Sequence, residues 1–247
     1  MQLFRTLYSV RVAHNIMANY VSAQTAQESA VATLFKSLYM QMAAALTVTG
    51  LVAYFLSQSV DFWYFLAQNP SVIWIALFAQ IGLVIWMSAR LVQMSMTTAT
   101  VLFVLYSMLM GVTMSSIFMV YTMSSIASVF FITAGTFLVM SILGYTTRLD
   151  LTKLGSMLFM ALIGLIIASV VNIFLGSETL YWIVSYAGVI IFVGLAAYDT
   201  QKIKQMFIQY GSADEMGNKI ALLGALTLYL DFINLFLFLI RILGDRR

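Results

Sequence analysis

Cysteine is absent from the 247 residues, and proline and histidine occur once each, as Pro70 and His14. The first absence excludes disulfides, cysteine-ligated zinc and iron–sulfur clusters. A lone histidine in a polar N-terminal stretch makes no metal-ligand set. Charge is the third shortage: 9% of the residues are Asp, Glu, Lys or Arg, against about 25% in a soluble domain. A chain so poor in charge cannot cover a globule in water. Hydrophobic residues fill the space, at 62% of the chain with a mean hydropathy of +0.98. The bilayer is the solvent that suits this composition, and the length leaves room for about six to eight helical spans. The apolar runs are continuous rather than alternating, which disfavours a β-barrel. An all-α, polytopic membrane protein follows.

Apolar segments fall at about 31–57, 71–88, 98–120, 125–146, 155–176, 180–200 and 219–243. The breaks carry turn or charged residues: "SQSVDFWYFLAQNPS", "SARLVQMS", "YTMSS", "TTRLDLTK", "GSET" and "QYGSADEMGNK". The expected organisation is a seven-helix transmembrane domain over 31–247. A polar segment, 1–30, precedes it and lacks the apolar core of a cleavable signal. It is expected as a short cytoplasmic, interfacial lead-in. With the N-terminus placed in the cytoplasm, Arg5, Arg11, Lys36, Arg90, Arg148, Lys153, Lys202, Lys204 and Lys219 all fall inside or at the inner boundary. The opposite loops hold only Asp61 and Glu178, an asymmetry that fixes the expected orientation. Arg241, Arg246 and Arg247 violate that rule if the last segment crosses. A re-entrant last segment is the alternative, but 219–243 measures about 37 Å as a helix, enough to cross.

Two acids lie within the apolar runs. "LAAYDTQKIK" places Asp199 near the inner end of the sixth segment, and "LYLDFINLFLFLIR" places Asp231 near the middle of the seventh. A charged residue at that depth costs roughly 2.5–3.5 kcal/mol on insertion scales, so it faces protein or water. Gly224, Thr227 and Asn234 fall on the same helical face as Asp231, a polar stripe on an otherwise Leu, Phe and Ile helix. Asp199 sits inside a helix expected to continue through "TQKIKQMFIQY" to a stop at Gly211. If the last two helices are neighbours the carboxyls approach one another. Two such groups in a low-dielectric site cannot both ionise cheaply and titrate as a unit. Arg90, at the inner end of the second span, is the expected cationic partner. The plainer readings are a solvated Asp199 paired with Lys202 and an Asp231 tied to Asn234 for helix docking.

Rival chemistries fare worse. Intramembrane aspartyl proteases also carry a YD pair, but with a GxGD on the next helix and a PAL motif; here the second acid reads "LYLD" and the sole proline is Pro70. A retinal protein needs a lysine within its last helix, and only Lys219, at the mouth, is available. The MxM spacings Met40–Met42 and Met94–Met96 suit soft copper sites, yet 17 methionines spread over all spans fit ordinary packing better. No Walker loop, dinucleotide fingerprint or Ser/His/Asp arrangement appears, and neither an enzyme nor a nucleic-acid binder is expected. The glycine pairs Gly155…Gly164 and Gly188…Gly194 are expected to allow close helix packing.

At "GLAAYDTQKI" (194–203) and "LYLDFINLFLFLIRILG" (228–244) the chain resembles the Bax inhibitor-1 (transmembrane Bax inhibitor motif) family, in its bacterial branch. The resemblance covers roughly 30–245. It implies six helices around a central seventh and a pH-sensitive calcium leak, in a bacterial inner membrane. It also implies that Asp199 and Asp231 form a proton sensor which Arg90 locks in the closed state. Calcium would then be held weakly and transiently by Asp199 and Asp231, with Thr227 and Asn234 lining the route; no cofactor is implied beyond the permeant ion. Partners on this reading are Ca²⁺, H⁺ and the lipid bilayer. Two other functions stand beside it: an H⁺/Ca²⁺ antiporter, and a non-transporting protein that modulates a membrane protease or another membrane-protein partner.

Overall fold

The computed structural model describes residues 2–210 and 212–247. Gly211 and the side chains of 1–16, 18–20 and 23, among them Arg5, Arg11 and His14, lie outside the described part. The chain forms α1 (Gln2–Ser57), α2 (Val60–Gln68), α3 (Ser71–Arg90), a 3-10 turn (Leu91–Gln93), α4 (Met96–Met114), α5 (Ile117–Val120), α6 (Met123–Thr146), α7 (Thr152–Leu175), α8 (Glu178–Tyr210) and α9 (Glu215–Leu243). Among the described residues seven helical segments are long and apolar enough to cross a membrane, α4 and α5 together making one of them. The chain is an integral, multi-pass membrane protein.

The breaks are set by local chemistry. Ser59, Ser95, Thr122 and Asp214 each stand in extended backbone and accept a hydrogen bond from an amide three residues on, at 2.9–3.3 Å. These side chains satisfy amides that a helix start leaves unpaired. Thr122 thereby separates the third and fourth spans, which the apolar pattern alone barely divides. Gly176 ends α7 in the left-handed region (φ 60°), where a Cβ would be strained. The Ser212 hydroxyl and then the Gly217 amide hold the Asp214 carboxyl below the usual carboxylate range. Its folded value lies under that of the unfolded chain. Its support for the start of α9 is therefore present above the unfolded value and lost as pH falls through the folded one.

Two segments carry more helix than the apolar runs alone mark out. The N-terminal segment is continuous with the first span; α1 runs unbroken from Gln2, because nothing in "SAQTAQESA" breaks a helix. The break at 58–70 is not plain loop. It folds as α2, with Val60, Tyr64 and Phe65 left exposed.

α9 is the core of the bundle. Two-thirds of its most apolar window is buried, against 6% for that of α7. It packs along α8, α1, α6 and α4. Ala221, Leu222, Leu226, Leu228, Tyr229 and Leu235 are fully buried. Close approach is bought with small residues: a Cβ on Gly144 of α6 would land on the Ala197 carbonyl of α8, and one on Gly188 would meet the Phe238 ring. Gly224, expected on the polar stripe, instead admits Leu38 of α1 and Ile203 of α8. Gly164, expected at a close contact, faces open space.

Polar side chains inside the bundle are bonded across helices. The Tyr229 hydroxyl pairs with Thr49 Oγ1 at 2.7 Å, and Thr49 donates to the Ser107 carbonyl at 2.9 Å, joining α9, α1 and α4. Tyr229→Phe is expected to lower stability by about 0.5–1.5 kcal/mol, read as the unfolding midpoint in detergent. Gln80 of α3 donates to the Leu109 carbonyl and to Thr113 Oγ1 on α4. Gln201 of α8 holds the α6–α7 connection through the Leu151 amide and the Leu149 carbonyl.

The last helix crosses. Its start follows the end of α8 and lies against Leu34 of α1, and its end meets the opposite loop. There the Thr122 amide donates to the Asp245 carbonyl and the Arg247 amide to the Val120 carbonyl. Asp245 donates its own amide to Ser125 Oγ. A re-entrant last segment is overturned, because one continuous 29-residue helix connects the two faces.

Candidate functional site: an acid pair in a membrane-embedded cleft

α7 packs along α8 rather than α9. The space left over is a cavity of about 940 Å³ bounded by α7, α8 and α9. Its lining runs along α7 from Gly155 to Ile173, about 27 Å at helical rise, close to the thickness of a hydrocarbon core. The α7 wall is mostly apolar, with Ile166, Val170 and Ile173 exposed on it and the hydroxyls of Ser156 and Ser169 as its polar groups. The opposite wall carries the ionisable groups.

From α8 come Leu195, Tyr198, Asp199 and Lys202, and from α9 come Thr227, Leu230, Asp231, Asn234 and Phe238. Both sets follow helical spacing, so each is one face of its helix. α8 and α9 are packed neighbours, and the carboxyls of Asp199 and Asp231 meet within hydrogen-bonding reach. Asp231 is 5% exposed, Asp199 half-buried. Asp231 Oδ2 is buried without a donor. Two carboxyls bond to each other only when one of them carries a proton.

The neighbours divide by role. The Thr227 hydroxyl donates to the Leu223 carbonyl at 3.0 Å and the Asn234 amide nitrogen to the Leu230 carbonyl at 2.8 Å. The Asn234 amide oxygen and the Thr227 lone pairs remain for a ligand. Among the described residues no three of His, Cys, Asp and Glu cluster in a way that could hold a metal. Beside the two carboxyls, α8 and α9 offer one amide (Asn234) and two hydroxyls (Thr227 and Tyr198), and Ser156 and Ser169 add hydroxyls along α7. Ca²⁺ takes six to eight oxygens, so water would have to supply the rest.

Arg90 is not at this site. It is exposed at the end of α3, which packs on α4, and it does not line the cavity. Its placement in the sequence, at the end of a span, carried no information about which helix faces which. The nearby cation is Lys202, whose charge acts on Asp199. It stands three residues on, on the same helical face, and that spacing is the signal in the sequence that points to it. Lys202 also reaches over the Tyr198 ring, at 5.9 Å from its centre. Tyr198 in turn packs against the bare backbone of Gly155, which lets α7 approach α8 at the polar end of the cleft.

A family model described as inhibitor of apoptosis-promoting Bax1 matches residues 31–247, nearly the whole chain. The chain belongs to the Bax inhibitor-1 family. Among its relatives, inner membrane protein YbhL of Escherichia coli K12 is 51% identical over 216 residues, covering 87% of this chain and 92% of YbhL. An uncharacterized protein of Borreliella burgdorferi is 48% identical over 206 residues (83% and 89%), and one of Rickettsia prowazekii 46% over 210 (85% and 88%). The family match begins where the first apolar segment begins and takes in both aspartates of the cleft. Only the start of α1 lies outside it.

Proposed function

We propose that this member of the Bax inhibitor-1 family is a proton-modulated, calcium-permeable leak in a bacterial inner membrane, with its N-terminus and lysine-bearing loops on the cytoplasmic side. One observation carries the reading: two carboxyls from adjacent spans meet within the depth of the membrane, in a cleft about as long as the hydrocarbon core. The name of the YbhL relative supports the compartment.

The chemistry follows from charge. With a proton shared between them, Asp199 and Asp231 present one negative charge and are tied to each other. Loss of that proton leaves two charges, breaks the tie and makes a place for a divalent cation. The site remains short of oxygens, so the ion is held weakly and can leave, as permeation requires. Lys202 repels a cation at the cleft's polar end and competes for Asp199. In this arrangement protonation acts on the cation directly, since Arg90 is not beside the pair. Calcium entry into proteoliposomes is therefore expected to fall several-fold as the pH is lowered from 8 to 5, with two states biased by the proton. Flux that does not vary over that range refutes the gate.

The shared proton also favours one other reading, coupled exchange, because it must leave for the cation to bind. An H⁺/Ca²⁺ antiporter accumulates calcium against its gradient when a proton gradient is imposed; a leak only dissipates it. That measurement separates the two.

A further inference from the structure

Three arginines, Arg241, Arg246 and Arg247, end the chain on the face that carries the loops at 121–122 and 176–177, against the charge rule that the other loops obey. The acid-pair cleft does not use them. At that face a second cavity, of about 630 Å³, is lined by Ser177, Glu178, Tyr181, Trp182, Arg241 and Arg246 among others. It is a built place rather than a loose tail. The backbone of 245–247 is bonded to 120–125 as described above, and Tyr121 and Arg246 form an isolated antiparallel bridge. The Arg246 guanidinium donates to the Tyr181 hydroxyl at 3.3 Å and stands close to the Tyr121 side chain as well. Arg241 lies over the Phe238 ring at 5.2 Å and the Tyr181 ring at 5.9 Å.

Both guanidiniums are thus aimed by aromatic groups that leave their charge uncompensated. Among the described residues no carboxylate lies within ion-pair distance of either. Glu178, the one acid on the lining, is exposed in the first turn of α8, so the cavity keeps a net positive charge. The flank beside it is apolar and faces outward. Phe174 is 84% exposed, with Ile173, Leu175 and Ile183 exposed near it, and Trp182 stacks on the exposed Tyr186. Trp and Tyr at such a level mark a membrane–water interface.

We infer that this cavity binds the phosphate of an anionic phospholipid, with the headgroup between Arg241 and Arg246 and an acyl chain along Phe174 and Ile183. Paired guanidiniums match phosphate oxygens in a way that ammonium groups do not. A free phosphate would satisfy the arginines but gain nothing from the apolar flank, and that difference distinguishes the two sources. The site explains why arginines persist on this face: their charge is neutralised by lipid.

The test uses the full-length protein in mixed micelles offered equal amounts of phosphatidylglycerol and phosphatidylcholine, with bound lipid counted by native mass spectrometry. The wild type is expected to retain phosphatidylglycerol in clear preference. Arg241→Gln and Arg246→Gln should each reduce that preference by roughly fivefold, the worth of one basic residue near an anionic surface. Lys204→Gln, on the opposite face, should leave it unchanged. Arg246→Lys, which keeps the charge, should retain part of the preference, so a loss through misfolding is told apart by its unfolding midpoint. Equal retention of the two lipids by the wild type overturns the site. Abolition of the preference by millimolar inorganic phosphate, with phosphate raising the unfolding midpoint in lipid-free detergent, overturns the lipid and leaves a soluble-anion site.

Discussion

Asp231→Asn is expected to cut calcium entry into proteoliposomes by at least about tenfold at pH 8 and to flatten what pH dependence remains. Tenfold corresponds to about 1.4 kcal/mol, a small part of the attraction that a divalent cation loses when one of two carboxylates goes from a low-dielectric site. Asp231 is the buried member of the pair and its Oδ2 has no donor. Asparagine keeps the shape and can donate its amide to Asp199, so the helices stay docked without a shared proton. The variant should fold as well as the wild type, since a buried ionisable group has been exchanged for a neutral one. Unfolding in detergent checks this alongside flux. Asp199→Asn should show the same loss of pH dependence from the half-exposed side. If Asp231→Asn conducts like the wild type at both ends of the pH range, the acid pair is structural and the proposed function fails.

Gly144→Ala should be the most damaging of the small substitutions. A methyl group there would fall on the Ala197 carbonyl, which is backbone and cannot rotate away. α6 must then move off α8, and the displacement reaches the turn of α8 that carries Asp199. Overpacking of this kind costs about 1–3 kcal/mol when side chains can give; with backbone opposite, the upper end is expected. The unfolding midpoint should drop by several degrees. Gly164→Ala is the matched comparison. It lies inside α7 with nothing near the added carbon, so relief of the glycine penalty should leave stability unchanged or raise it by about 0.5–1 kcal/mol. Equal effects from the two would mean that α6 and α8 do not meet as closely as described.

The contrast between these glycines also shows how far a sequence can be read. Both stand in apolar helices, and both look like sites of close packing by residue type. Only the direction in which each faces tells them apart, and direction relative to another helix is a tertiary property. Arg90 and Lys202 differ in the same way. Each is an exposed basic residue at the cytoplasmic end of a span in the expected orientation, yet Lys202 on α8 borders the cleft while Arg90 on α3, at the flank, does not. Thr227 and Asn234 were placed beside Asp231 by helical period alone, which needs no knowledge of neighbours, and they line the same cleft.

The unaided sequence was enough for the membrane, the seven spans and the two acids that stand out in them. Those follow from composition and from the thickness of a bilayer, which can be read along the chain without knowing which helices are neighbours. A central last helix was already implied by the family resemblance; the three-dimensional packing alone decided that its neighbours are α1, α4, α6 and α8, that α7 stands off from it, and that the resulting gap holds both carboxyls. It also turned a charge pattern that broke a rule into a paired-arginine cavity. Such features depend on which helix faces lie against each other, and in a chain where nearly every face is apolar the hydrophobic pattern does not distinguish protein from lipid. Small residues and buried hydrogen bonds make that choice, and they act between residues far apart in the chain.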